Sequence, residues 1–160
     1  MTDAFVIDNC ILSSFCFADW FDAITFWKSD YDLLVTRRVW EDEFVSHHDQ
    51  VQPDWLSIRS VDLSSIQVQA SGQLSKKDWS CIGLAEEYDG NAAVITNDYR
   101  LKTTAEKRVL RGIWGTRFAI DTYERCGIPV DVYESGLPQY LEDVLLPPEA
   151  QKALKEAEKI

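Results

Sequence analysis

Near its start the chain reads Ala4-Phe5-Val6-Ile7-Asp8-Asn9, an apolar run that ends directly in two polar residues. Short apolar runs of this kind are typical of parallel strands that are buried on both faces. A second run of the same form, Ala92-Ala93-Val94-Ile95, ends in Thr96-Asn97-Asp98, and Leu33-Leu34-Val35 predicts a further strand. The sequence therefore predicts a parallel sheet whose carboxyl edge carries polar side chains.

Helical periodicity fills the sequence between these strands. Apolar residues recur at helical spacing from Ile11 to Trp27, and again from Val39 to His47 after Thr36 as an N-cap. Ser75 to Asp78 has the spacing of a capping box at the start of another helix. That helix continues through 82–88 and ends at Gly90, and the remaining elements are expected at 56–58, 104–110, 112–115 and 116–126. This alternation predicts an α/β fold, a three-layer sandwich with a central parallel sheet flanked by helices.

The length and charge of the chain limit the classes of protein to which it can belong. The chain has 160 residues, which suits a single core, and we assign residues 1–146 to one domain and 147–160 to a C-terminal helical tail. Acidic residues outnumber basic ones by 27 to 16, giving a net charge of −11, which argues against a protein that grips duplex DNA through a broad basic face. The aromatic content of 12% excludes an intrinsically disordered chain.

The sequence has the features expected of a soluble cytoplasmic protein. No Lys or Arg precedes Lys28, so the basic start of a secretory signal is missing. The longest uninterrupted apolar runs have four residues, which is too short to span a membrane. The cysteines show no zinc-binding spacing, and we expect them to be small buried residues in a reducing compartment.

Four acidic residues are placed where they can meet. Asp8 and Asp98 leave the same edge of the predicted sheet, while Asp78 begins the helix that leads to the Asp98 strand. Glu43 lies on the helix that follows the second strand. Each acid also fits an ordinary role as a turn residue, a helix cap or a solvated charge. Acids that share one pocket repel one another and raise their pKa values unless a cation neutralises them, and oxygen ligands favour Mg²⁺ or Mn²⁺.

The second acid has two neighbouring alternatives, Glu41 and Asp42. Glu43 is preferred because it precedes an apolar residue and lies one turn after Val39. An α-helix places Glu41 about 160° away from Glu43 around its axis, so only one of them faces inward.

These acids stand in four segments that resemble the motifs of PIN-domain nucleases. The family shows a strand ending in Asp, a helix with an acid before a hydrophobic residue, a helix beginning L-S-x-x-D, and a strand ending in T-N-D. Gly115-Thr116 is also similar to small stand-alone members, and the likeness covers about residues 4–128. The matching segments here are Phe5-Val6-Ile7-Asp8-Asn9, Val39-Trp40-Glu41-Asp42-Glu43-Phe44, Leu74-Ser75-Lys76-Lys77-Asp78 through Ile82-Gly83-Leu84-Ala85, and Val94-Ile95-Thr96-Asn97-Asp98.

The resemblance implies a catalytic site that binds Mg²⁺ or Mn²⁺ and hydrolyses phosphodiester bonds within single-stranded RNA. Its catalytic and metal-ligating residues would be Asp8, Glu43, Asp78 and Asp98, with Asn9, Ser75, Thr96 and Asn97 as supporting residues. It also implies that the protein is the toxin of a toxin–antitoxin pair, with an antitoxin protein as partner and a homodimer as a compatible assembly. The alternative is a catalytically inactive PIN-like module that binds RNA or protein.

A local basic stretch follows Asp98. Residues 99–125 hold seven basic residues against three acidic ones, although the whole chain is acidic. The stretch could grip an RNA backbone, or it could be an ordinary solvated surface. The candidate RNA-binding residues are Arg100, Lys102, Lys107 and Arg108.

Other sites find less support in the sequence. Glu43 and His47 could ligate zinc at i, i+4, but no third ligand stands at a recognisable spacing. A phosphatase with an Asp-x-Asp pair after the first strand is disfavoured because Asp8-Asn9-Cys10 stands there instead. The aromatic group Trp20, Phe21, Phe26 and Trp27 is expected to belong to the core.

Overall fold

The computed structural model describes residues 2–65 and 74–144, together with the positions 152, 155 and 156, which are helical. Its centre is a sheet of parallel strands in the order β3-β2-β1-β4-β5. The strands are β1 (Thr2–Ile7), β2 (Tyr31–Thr36), β3 (Ser57–Arg59), β4 (Gly90–Thr96) and β5 (Arg111–Trp114). The predicted all-parallel sheet is confirmed.

Helices connect the strands and cover the sheet. They are α1 (Asn9–Phe17), a 3₁₀ helix (Phe21–Ser29), a π-helix (Arg38–Phe44) continued by α2 (Val45–His47), a short 3₁₀ turn (Leu63–Ser65), α3 (Lys76–Glu87), α4 (Tyr99–Lys107), α5 (Gly115–Glu124) and α6 (Val130–Asp143).

The helices form two layers, one on each face of the sheet. Helix α3 packs on β1, β2 and β4, and α4 packs on β4 and β5. On the other face, α1 packs on β4 and α6, while α5 contacts β4, β5 and the 3₁₀ helix of 21–29. The structure is therefore the predicted three-layer α/β sandwich.

The strand order reverses between β1 and β4, which are neighbours in the sheet. The chain leaves β1 toward β2 and β3, and leaves β4 toward β5 on the opposite side. Right-handed crossovers send the two sets of helices to opposite faces, so a crevice opens at the carboxyl ends of these two strands. Ligands of open α/β sheets bind at such a switch point.

The core lies on both sides of the central strands. Val6, Ile7, Val94 and Ile95 are completely buried, as a strand with helices on both faces requires. On the α5 face, the Phe5 ring packs edge to face on rings from the helices. Trp20, Phe21 and Trp27 are core residues as expected, while Phe26 lies partly at the surface.

Several sequence expectations need correction. Helix α4 begins at Tyr99, five residues before the predicted start, because the Asp98 side chain caps its first turn. The segment of 38–44 adopts a π-helix, so the angular argument built on α-helical geometry does not apply to it. Cys126 is exposed, and Cys10 and Cys16 are half-buried, so only Cys81 fits the expected burial.

Two expectations concern the chain beyond the central fold. The predicted tail of 147–160 lies outside the described residues except at the three isolated helical positions. Among the described helices, none has the length and apolar character that crossing a membrane demands.

Candidate functional site

A pocket of about 470 Å³ opens at the carboxyl ends of β1 and β4. It lies at the switch point of the sheet, where the strand order predicts a ligand crevice. Its lining consists of Asp8, Asn9, Cys10, Glu43, Ser75, Asp78, Asn97 and Asp98. The fold therefore brings all four predicted acids, from four separate elements, to one pocket.

Asp8 occupies the floor of this pocket and is only 7% exposed. Its Oδ1 accepts the Asn9 N–H at 2.8 Å and so caps α1, and its Oδ2 accepts the Thr96 hydroxyl at 2.7 Å. The Asp8 backbone N–H donates to the Ile95 carbonyl, which ties the end of β1 to β4. The side chain is therefore fixed by contacts to both central strands.

Asp98 and Asp78 perform the capping roles that the sequence offered as ordinary explanations. Asp98 Oδ1 accepts the Arg100 N–H at 2.8 Å at the start of α4. Ser75 and Asp78 form a reciprocal capping box at the start of α3. Since α1, α3 and α4 all begin at the pocket, the positive ends of three helix dipoles face its carboxylates. Capping and pocket formation are thus the same arrangement and do not exclude one another.

Glu43, and not Glu41, faces the pocket. Glu41 forms an ion pair of 2.7 Å with Arg37 and lines a separate pocket with it. Glu43 lies on the π-helix. Such helices are rare in proteins, and those that occur are often found at functional sites. Within the described residues we find no hydrogen bond or ion pair to the Glu43 carboxylate. Glu43 could therefore bind a ligand without breaking a contact that holds the fold together.

The electrostatics of the pocket show that its acids interact. Burial raises the pKa of Asp8, the Thr96 hydrogen bond opposes that rise, and the nearby Asp78 charge adds to it. Burial, followed by the Asp8 charge, raises the pKa of Glu43, while Lys77 opposes the rise. Burial also raises the pKa of Asp78, to which the Asp98 charge contributes. Burial is therefore the main cause of all three rises, and the charges of neighbouring carboxylates add to it.

The residues present fit a hard divalent cation by their chemistry. The four carboxylates supply oxygen ligands, and Asn9 Oδ1 is a further buried oxygen with no hydrogen-bond partner. Across residues 2–65 and 74–144, no three His, Cys, Asp or Glu side chains lie close enough together to hold one ion. Ligation of one ion at this site therefore requires the carboxylates to turn toward one another.

The supporting residues act on the acids from within the pocket wall. Thr96 Oγ1 donates to Asp8 and accepts the Asp98 N–H at 3.0 Å, so one buried hydroxyl bridges two of the acids. Asn97 lines the pocket, and its Nδ2 is buried without a hydrogen-bond partner. A Cβ added at Gly115 would lie 2.7 Å from Asn97 Oδ1, so this glycine allows Asn97 its position.

Cys10 is a pocket residue that the sequence interpretation treated as a plain buried hydrophobe. Its Sγ donates to Asp8 Oδ2 at 3.4 Å and accepts the Asn97 N–H at 3.4 Å. Burial raises the pKa of its thiol well above the ordinary value, which keeps the sulfur protonated as a donor. The signal that finds it is its place in the first turn of the helix that Asp8 caps.

The candidate RNA-binding residues lie on and just after α4, outside the pocket lining. Lys102 pairs with Glu106 at 3.0 Å, and Arg108 pairs with Glu86 at 2.9 Å. Arg100 and Lys107 are exposed. Of these four candidates, Arg100 is the nearest in the chain to Asp98.

No protein-family model, curated protein or solved structure matches this chain.

Proposed function

We propose that the protein is a metal-dependent endoribonuclease that hydrolyses phosphodiester bonds of single-stranded RNA. One observation carries the proposal: Asp8, Glu43, Asp78 and Asp98 come from four different elements and line one pocket at the switch point of a parallel sheet. The resemblance of their segments to the motifs of PIN-domain nucleases supports the same conclusion. A role as the toxin of a toxin–antitoxin pair belongs to this proposal on the resemblance alone.

The residues of the pocket divide the work between them. Asp8, Glu43, Asp78 and Asp98 would hold Mg²⁺ or Mn²⁺, and such ions supply Lewis-acid activation of water and stabilise charge on the leaving oxygen. Thr96 holds the Asp8 carboxylate in one orientation, and burial of Asp8 excludes bulk water from the pocket floor.

The test is cleavage of a mixed pool of single-stranded RNA by the purified full chain with Mn²⁺ or Mg²⁺. We expect internal cuts that EDTA abolishes and that Asp8→Asn removes. Asp89→Asn is the matched control, since Asp89 is exposed and lies just before β4, at the opposite end of that strand. Absence of cleavage by a folded wild-type protein over this pool would overturn the proposal.

A second candidate is the catalytically inactive PIN-like binding module. It is favoured by the capping contacts of three of the acids and by the distance that separates the carboxylates in the described residues. Metal binding separates the two candidates, because a ligand that binds only the folded state raises the melting temperature. A rise with Mn²⁺ supports the enzyme, and an unchanged melting temperature supports the binding module.

A further inference from the structure

Two exposed aromatic residues lie at the carboxyl edge of the sheet, where the acidic pocket opens. Tyr99 directly follows Asp98 and is 71% exposed, while Trp114 at the end of β5 is 39% exposed. The register of the sheet pairs Trp114 with Thr96, the residue that binds Asp8. Both rings therefore belong to the edge of the sheet that carries the pocket.

Lys102 is the residue that both aromatic residues have as a neighbour. Residues three apart on a helix are neighbours on its surface, so Lys102 lies beside Tyr99 on α4. The Lys102 ammonium lies 4.9 Å from the centre of the Trp114 ring. We call Tyr99, Lys102 and Trp114 the rim row.

Gly112 gives the rim row its shape. A Cβ at this position would lie 2.7 Å from Lys102 Cγ, so the absence of a side chain on β5 lets the lysine stem lie against the strand. The Lys102 charge is also fixed by its ion pair with Glu106. The lysine is thus held over one side of the indole, and the indole keeps part of its surface open to solvent.

We propose that the rim row binds the bases of single-stranded RNA by stacking and so guides the strand toward the acidic pocket. Aromatic side chains stack on bases of any sequence. Duplex RNA cannot use the row, because its bases are already stacked on one another. This inference rests on the proposed function for its direction toward the pocket, while binding itself needs no cleavage.

The other tryptophans argue that Trp114 is placed for contact with a ligand. Four of the six Trp residues are at most 6% exposed, and Trp55 is half-buried. Trp114 is therefore the tryptophan that a stacked base can quench most strongly. Its fluorescence reports stacking directly, because RNA would not quench Trp114 if that ring had only a structural role.

The test measures binding of a fluorescein-labelled oligouridylate in EDTA, which prevents metal-dependent cleavage. Tyr99→Leu and Trp114→Leu are each expected to weaken binding by about tenfold, because the loss of one stacking ring is of this size. Trp114→Phe keeps a ring and should retain most of the affinity. Phe17→Leu is the matched control, since Phe17 is 53% exposed but ends α1, away from the pocket where that helix begins.

A second probe separates stacking from charge. An abasic oligonucleotide with the same number of phosphates should bind wild type and both Leu variants equally weakly, and it should leave the Trp114 fluorescence unquenched. Unchanged affinity for the oligouridylate in both Leu variants overturns the proposal, as would occur if the row contacts a protein partner. Wild type that binds no oligouridylate overturns it as well.

The outcome is distinguishable from failure of the proposed enzyme. Asp8→Asn should lose cleavage and keep oligouridylate binding, because Asp8 lies in the pocket and not in the rim row. Base stacking without RNA cleavage would support the rim-row proposal and overturn only the proposed nuclease activity. If Tyr99→Leu and Trp114→Leu both cleave RNA and bind the oligouridylate as wild type does, only the rim-row proposal is overturned.

Discussion

The Thr96 hydroxyl donates a hydrogen bond of 2.7 Å to Asp8 Oδ2 and joins the ends of the two central strands. Both side chains are buried, and the same hydroxyl accepts the Asp98 N–H. The bond opposes the rise that burial causes in the pKa of Asp8. Thr96 therefore holds a buried charge in place and connects it to the second acid at the edge of the sheet.

Replacing Thr96 by Val removes this hydroxyl while keeping the shape of the side chain. The Asp8 carboxylate and the Asp98 N–H each lose a partner in a buried region, which costs about 1–3 kcal/mol of stability. We expect a lower free energy of unfolding in urea, and the pKa of Asp8 should move further upward. Thr25→Val, at an exposed position, should change stability by less than about 0.5 kcal/mol. A Thr96→Val protein as stable as wild type would contradict this assignment.

Glu43→Gln should weaken binding of Mn²⁺, because it removes a charged ligand from the pocket. Isothermal titration measures the effect directly, and we expect at least a tenfold loss of affinity together with a loss of RNA cleavage. Glu41→Gln makes the matching change two residues away, where the carboxylate pairs with Arg37 instead. That variant should bind Mn²⁺ as wild type does. Equal losses in the two variants would show that Glu43 has no special place in the site.

The acidic pocket should make the protein less stable as the pH rises from acid toward neutral. The pKa values of Asp8, Glu43 and Asp78 are raised in the folded state, so their contribution to stability is fully present below the ordinary carboxyl pKa. It is lost as the pH rises through the raised values, because the unfolded chain releases these protons first. Glu43→Gln should therefore be more stable than wild type at pH 7, and the gain should disappear in acid.

Urea titrations of wild type and Glu43→Gln across this pH range check the expectation. Mn²⁺ should stabilise wild type at pH 7 and lose that effect in acid, because protonated carboxyl groups do not bind the ion. Glu41→Gln again serves as the control. A stability difference between Glu43→Gln and wild type that does not depend on pH would rule out charge repulsion as its cause.

The sheet and the pocket could be predicted from sequence because both depend on local signals. A buried strand that ends in Asp8, and another that ends in Asp98, are each visible as an apolar run followed by an acid. The parallel arrangement then places both acids at one edge of the sheet. The capping box of Ser75 and Asp78 likewise depends on residues only three apart, and it is present in the structure.

Features that depend on tertiary contacts escaped the sequence interpretation. The π-helix of 38–44 cannot be inferred from spacing based on 3.6 residues per turn, although the sequence did favour Glu43 over Glu41 as the inward acid. The sequence gives no sign that Cys10 is more than a small buried residue, because its hydrogen bond to Asp8 depends on how the chain folds. Trp114 gains its place beside the pocket only through the pairing of β5 with β4.

Gly115→Ala should distort the acidic pocket through a steric clash with a residue that forms its wall. Gly115 begins α5, and a Cβ there would collide with Ile11 Cδ1 and lie 2.7 Å from Asn97 Oδ1. Ile11 is completely buried and Asn97 lines the pocket, so relieving the clash turns one of these side chains away from its present position. Overpacking of this kind costs about 1–3 kcal/mol, and we expect a lower melting temperature and weaker Mn²⁺ binding. A melting temperature and Mn²⁺ affinity equal to those of wild type would contradict the prediction.

A double-mutant cycle isolates the cause of the Gly115→Ala defect. Ile11→Val removes the Cδ1 atom and alone should destabilise by about 0.5–1.5 kcal/mol. Combined with Gly115→Ala it should cost less than the sum of the two, because the added methyl group then has room. Gly112→Ala is the control for adding a methyl group, since its nearest neighbour is Lys102 Cγ on a long side chain that can move. It should be milder than Gly115→Ala, and strictly additive losses in the Ile11 cycle would show that the clash is not the reason.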